Sequence, residues 1–247
     1  VPVIRERWPS VSRTVGRAAR HVGEAQSLLE EIATVDAMGL SDPQRLSVAL
    51  LRGLDPARQR NVVRAAVTAA GLPAPTTDQL AALLVAIDRA RRDAEACVQW
   101  PGAEAHLYRD HLHLIAELPA PSRPGASDRV STSEPWSGPE GDLALVAIET
   151  HRAGTALAND CVRDGLDVRF RAGGERLKPA FGDHHRKLKT LFQEHGIVPW
   201  MRQRIPLLYR AERLVAVGDL WISDEARARE PDGSGWRVRW TGHPALH

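Results

Sequence analysis

Residues 119–141, PAPSRPGASDRVSTSEPWSGPEG, constrain this chain more than any other stretch. Proline, glycine and serine crowd it, and it carries neither the 3.6-residue nor the two-residue apolar period by which a helix or strand buries one face. It reads as a linker or surface excursion. The 247 residues then divide into two small domains, 1–118 and 142–247, rather than one large one.

The first domain is written in helices. From Val11, apolar residues recur at Val15, Ala18, Val22, Ala25, Leu29 and Ile32, steps of four and three that make one stripe, and Gly39 marks its end. A second helix opens with Asp55 as cap and Pro56 in the first turn, buries Val62, Val63, Ala66 and Val67, and stops at Gly71. After the stiff connector Pro73-Ala74-Pro75, Thr76 or Thr77 caps a third helix whose face is Leu80, Leu83, Leu84 and Ile87. Short strands follow at 97–100, 106–108 and 112–115, broken by Gly102 and Asp110.

The second domain mixes both periods. Val168 and Phe170 alternate with Arg169 and Arg171, a strand with one basic face, and a Gly173-Gly174 turn follows. Leu188, Leu191 and Phe192 form a short helix face ending at Gly196, and further strands are expected at 207–209, 214–217, 220–222 and 236–240. The expected class is α+β, an all-helical N-terminal domain ending in short strands and then a mixed α/β C-terminal domain.

No apolar stretch is long enough for a membrane span, and the N-terminus has no apolar signal core behind a basic start. Cys97 and Cys161 lie far apart and outside any CxxC spacing, as expected of reduced thiols in a cytoplasmic protein. The chain begins at Val1, which suits either an alternative start codon or a fragment.

Net charge is only +2, but its distribution is uneven. Residues 169–213 hold 11 Lys+Arg against 4 Asp+Glu, a net of +7; the remainder holds 22 against 27, a net of −5. All three lysines, Lys178, Lys187 and Lys189, fall in the basic segment. Such a local field attracts a phosphate backbone whatever the total charge.

The segment 165–223 resembles the C-terminal domain of tRNA(Ile)-lysidine synthetases. The resemblance rests on the VRFR strand at Val168–Arg171, the Gly-Gly-Glu-Arg turn at 173–176 and Lys187-Leu188-Lys189. It extends through Val198-Pro199-Trp200, Arg202, Pro206, Leu207 and Leu208, with Val198 standing where proline is common. RERWPS at 5–10, LDPARQRNVVRAAV at 54–67 and LYRDHLHL at 107–114 resemble the family's middle domain. The family's reaction is the ATP-dependent ligation of lysine to the wobble cytidine of an AUA-decoding tRNA(Ile), through adenylation of the base. An N-terminal domain with an SGGxDS phosphate loop performs it and binds ATP and lysine. No such loop occurs here: the Gly173-Gly174 pair is followed by Glu-Arg-Leu. The resemblance therefore implies a tRNA-binding portion with no catalytic residue and no cofactor of its own, inactive alone and working with a catalytic domain in cis or in trans. The C-terminal domain is expected to read the acceptor stem, and it is also similar to a domain of the phenylalanyl-tRNA synthetase β-subunit. The rival reading is a stand-alone, non-catalytic interaction protein that no longer binds tRNA.

Arg169, Arg171, Arg176, Lys178, Arg186, Lys187 and Lys189 are the candidate phosphate contacts of the C-terminal domain, against the plainer reading of a solvated, ion-paired face. Arg202 and Arg204 would point the same way on an extended segment, or one of them would satisfy backbone carbonyls. Trp200 and Trp221 read as core rather than base-stacking residues. Arg58, Arg60 and Arg64 form a small basic group on the second helix, with 60 and 64 one turn apart.

No metal site is expected. Asp183-His184-His185 suits a helix cap with two surface histidines, since consecutive residues diverge rather than converge on an ion. His106, His111 and His113 are spread, although 111 and 113 share a strand face. No nucleophile-elbow sequence supports a hydrolase triad.

Overall fold

The stripe that starts at Val11 does form a helix, α1 (Val11–Asp36), but it is not the core face its spacing suggests. Val22 is 69% exposed, and Val15, Leu29 and Ile32 are exposed as well; only Ala33 and Asp36 of this helix are buried. These positions come from a computed structural model that describes residues 8, 10–37, 42–89, 95–123, 127–149, 155–229 and 234–247; the helix stop read at Gly39 lies outside them. The chain forms two units, Val1–Leu118 and Pro119–His247. It is α+β, a helical N-terminal region followed by a β-rich region with helices.

In the first unit α1 is followed by β1 (Arg45–Ser47), α2 (Val48–Arg52), α3 (Pro56–Ala69), α4 (Thr77–Arg89), β2 (Ala96–Trp100), β3 (Ala103–Tyr108) and β4 (His111–Ala116). Asp55 caps α3 by accepting from the backbone N–H groups of Ala57 and Arg58. Thr76 and Gln79 close a reciprocal capping box at the start of α4. The expected apolar faces of both helices are buried, Val63 and Ile87 fully so. They pack with Val48 and Leu51 of α2 on one face of an antiparallel sheet of order β1-β4-β3-β2, which contributes Leu46, Ala103, Ala105, Leu107, Leu112 and Leu114. The N-terminal unit thus carries a four-stranded sheet besides its helices. Trp100 donates its indole N–H to Pro73 O at 2.6 Å, so the Pro73–Pro75 connector also closes the core. On the other face of the sheet, the register sets Arg45, His113, His106 and Cys97 in one cross-strand row.

The second unit opens inside the stretch that composition reads as linker. Residues 127–130 form β5 (Ser127–Val130) and 136–138 form β6 (Trp136–Gly138), followed by β7 (Gly141–Ile148). Buried Trp136 donates to Asp128 Oδ2 at 2.8 Å and packs its ring on Phe170, while buried Glu140 accepts from the backbone and hydroxyl of Ser122. Strands this short show no alternation, so the anchoring of the stretch by one tryptophan and one glutamate is invisible to periodicity.

Beyond it come α5 (Asn159–Val162), β8 (Leu166–Arg169), β9 (Arg176–Leu177), β10 (Arg186–Lys187), α6 (Leu188–Glu194), a 3-10 turn (Pro199–Met201), β11 (Leu207–Arg210), β12 (Arg213–Val217), β13 (Trp221–Ile222) and β14 (Gly235–Thr241). A five-stranded antiparallel sheet of order β13-β12-β11-β8-β5 and a three-stranded sheet of order β14-β7-β6 contribute to a core that includes Leu143, Leu157, Leu166, Val168 and Phe192. The remaining pair, β9–β10, carries Arg176, Arg186 and Lys187 of the basic segment. No helix among the described residues is long and apolar enough to cross a membrane.

Candidate nucleic-acid interface

The Gly173-Gly174 turn determines where the basic side chains go. Both glycines have positive φ, 106° and 89°, conformations an L side chain rarely adopts. That bend lets Glu175 Oε1 accept from the backbone N–H groups of Ala172 and Gly173 at 2.6 and 2.7 Å. Its other oxygen lies 3.5 Å from Arg171 Nε, an ion pair too long for a good hydrogen bond. The chain leaves this turn into β9, which pairs with β10 so that Arg176 faces Lys187 and Leu177 faces Arg186. Residues opposite one another share a face. Leu177 is buried, so Arg186 lies toward the protein and pairs with Glu194, whereas Arg176 and Lys187 are exposed together. Lys189 follows in the first turn of α6, also exposed.

Ion pairing occupies more than half of the basic side chains of this segment, some with carboxylates of the segment itself and some with carboxylates outside it. Among the described residues, six of the eleven basic side chains of 169–213 stand beside a carboxylate: Arg169, Arg171, Lys178, Arg186, Arg210 and Arg213. Arg169 is the most committed. It reaches Asp167 and Glu212, donates to Ala211 O, and lies 4.7 Å from the Tyr209 ring centroid. Its hydrogen bond to Glu212 raises its own pKa and holds the Glu212 carboxyl below the usual range. Lys178 sits 3.1 Å from Asp224, whose carboxyl is held down by Arg227 and then by Lys178. Lys187 and Lys189 hold no side-chain hydrogen bond or ion pair among the described residues, and Arg176 donates only to His185 O.

Arg202 and Arg204 do not lie on an extended segment. The chain winds through the 3-10 turn at Pro199–Met201, Arg202 Nε donates to Ile197 O at 2.9 Å, and Arg204 is buried. The geometry thus follows the carbonyl-satisfying alternative for Arg202. Apolar Ile197 and Ile205 on either side are fully buried and pull the segment inward. Trp200 is partly buried, and Trp221 packs on Phe192 and His195.

In the first unit, Arg58 departs from the expected group. It holds Asp36 through both carboxylate oxygens, tying the end of α1 to α3. Arg60 and Arg64 lie exposed one turn apart and hold no side-chain hydrogen bond or ion pair among the described residues. Asp183 caps no helix, because α6 starts only at Leu188; Asp183, His184 and His185 are all exposed. One polar group that spacing does not reveal is Cys97, Glu104 and His106, brought together by the pairing of β2 with β3.

Two family profiles match: the TilS substrate binding domain over residues 46–113 and the TilS substrate C-terminal domain over residues 166–240. The matched ranges contain the motifs at 54–67 and 173–176 but not the one at 5–10. The tRNA(Ile)-lysidine synthase of Alkalilimnicola ehrlichii is 37% identical over 238 residues, covering 92% of this chain and 51% of that protein. That of Ralstonia nicotianae is 34% identical over 94% of this chain and 51% of its own length, and that of Coxiella burnetii 32% over 96% and 52%. The chain spans about half the length of the curated relatives it matches. A crystal structure of the TILS C-terminal domain aligns with 47% of this chain and 99% of its own, at 21% identity and a TM-score of 0.38. The chain belongs to the tRNA(Ile)-lysidine synthase family and carries its substrate-binding and substrate C-terminal domains.

Proposed function

We propose that this chain is the tRNA-gripping portion of a tRNA(Ile)-lysidine synthase: it binds and orients tRNA(Ile) and makes no bond itself. The observation that carries this reading is the exposed trio Arg176, Lys187 and Lys189, which the Gly-Gly-Glu-Arg turn presents clear of the ion pairs around it. Cations already satisfied by carboxylates gain little from a phosphate, since they must break one charge-assisted bond to make another. Those without an ion pair release counterions at no such cost. Arg60 and Arg64 offer a second contact of the same kind on the substrate-binding domain. Helical RNA is recognised largely through its phosphates and 2′-hydroxyls, and surface cations on rigid elements suit that task. The chain supplies binding energy and orientation, and the ligation, with its ATP and lysine, belongs to a catalytic domain in cis or in trans.

Binding of the chain to AUA-decoding tRNA(Ile) and to an elongator methionine tRNA, measured across a salt series, tests the proposal. About five phosphate contacts give a logarithmic salt slope of about −4.5 on a duplex-like target. Changing Arg176, Lys187 and Lys189 together to Gln should flatten that slope by about 2 to 3 and weaken binding at low salt. Absence of binding at low salt, or a slope the triple change does not move, overturns the assignment and favours an interaction protein that does not hold tRNA.

A further inference from the structure

On the sheet face away from the helices, His106 of β3 stands directly opposite Cys97 of β2, and Glu104 lies two residues along β3 on the same face. One ligand atom from each, Sγ, Oε2 and Nε2, lies within 4.8 Å of the other two. His106 Nε2 is 2.7 Å from Glu104 Oε2 and 3.8 Å from Cys97 Sγ. We infer that Cys97, Glu104 and His106 form a binding site for a divalent transition-metal cation, zinc above all, with a fourth position open to solvent.

The donor set selects the metal. A thiolate and an imidazole exclude the hard cations magnesium and calcium, and with one carboxylate they suit zinc or cobalt. Tetrahedral zinc with bonds of about 2.0 Å to N and O and about 2.3 Å to S separates its ligand atoms by roughly 3.3–3.5 Å. The observed 2.7 and 3.8 Å bracket those values, so side-chain shifts of about 1 Å complete the shell. The backbone has no need to move. The core-side partners Ala103, Ala105 and Leu107 are buried and hold the strand register beneath the ligands.

Glu104 is oriented for this use. Its Oε1 accepts from Leu118 N at 3.2 Å, leaving Oε2 toward His106, the kind of outer partner that fixes a metal-binding carboxylate. Charge also balances, because one thiolate and one carboxylate neutralise a dication. Without metal, burial keeps the His106 imidazole neutral, and burial together with Glu104 pushes the Cys97 thiol up, so the thiol is a poor nucleophile on its own. On binding, the thiol proton leaves to solvent, and His106 binds through Nε2 as the neutral tautomer protonated at Nδ1. Cys97 is exposed, so the cation has an entry path and an open coordination position.

The metal-free full chain, titrated with zinc against a chelating dye and separately with cobalt, provides the test. One equivalent is expected to bind, with a thiolate-to-cobalt charge-transfer band. Cys97→Ser should abolish the band, and it and His106→Ala should each weaken zinc binding by about tenfold or more, whereas His111→Ala should change nothing. On the unaltered chain, zinc should slow alkylation of Cys97. The inference is overturned by absence of saturable one-to-one binding, by undiminished binding in Cys97→Ser, or by alkylation indifferent to zinc.

Discussion

Asp36 is the last residue of α1, and Arg58, in the first turn of α3, holds both oxygens of its buried carboxylate. Removing the guanidinium leaves a buried carboxylate without its partner, the costly way to break an ion pair. Arg58→Ala should therefore lower the melting temperature of the first unit by several degrees, on the order expected for a small domain losing a structural contact. Arg60→Ala should leave the melting temperature unchanged and weaken tRNA binding. Equal melting temperatures for the two variants would show that Arg58 has no special structural role.

The salt slope separates the basic residues of the second unit. Lys187→Gln removes a cation with no ion pair, so the slope should fall by about one. Arg169→Gln, whose guanidinium is already held by Asp167 and Glu212, should leave the slope as it was while loosening the hold of β8 on the turn between β11 and β12. A drop in slope for Arg169→Gln as large as that for Lys187→Gln contradicts the division drawn from ion pairing.

At Gly174 a methyl group would meet nothing within 4 Å, yet the backbone φ is 89°. Any cost of Gly174→Ala is then conformational rather than steric, about 1–2 kcal/mol. The variant should melt slightly lower and bind tRNA more weakly, because the turn no longer lets Glu175 hold the N–H groups of Ala172 and Gly173. Denaturant unfolding and tRNA titration on one preparation measure both effects. An unchanged midpoint would mean that the turn relaxes without strain.

Burial lowers the His113 pKa from 6.5 to about 4, helped by the charges of Arg45, His111 and His106 and opposed by Asp42. The unfolded chain takes up this proton near pH 6.5 and the folded chain only near pH 4, so between them unfolding binds protons. The stability present above pH 6.5 is therefore lost progressively as pH falls toward 4, by at most about 3 kcal/mol from this group. Thermal melts from pH 7 to 4 should show the decline, and His113→Gln should flatten it. The same decline in both proteins would assign the acid sensitivity elsewhere.

Local chemistry was legible in the sequence. Asp55 with Pro56, a capping threonine at 76 or 77, and the apolar quartet Leu80, Leu83, Leu84 and Ile87 depend on partners within about one helical turn, so their order in the chain specifies the helix start and its buried face. Two adjacent glycines likewise announce a turn that other residues resist. What the sequence could not show is whatever depends on a partner far along the chain. The stripe of α1 has the period of a core face, but the core closes through α2, α3, α4 and the sheet and leaves that stripe exposed. The basic segment is obvious from composition, yet Asp224 takes Lys178 and Asp167 with Glu212 takes Arg169, so only the fold decides which cations remain open to phosphate. Cys97 and His106 meet only because β2 and β3 pair in one register. Periodicity and capping act over a few residues and survive in a linear reading; charge pairing and strand register act through space, and packing alone selects their partners.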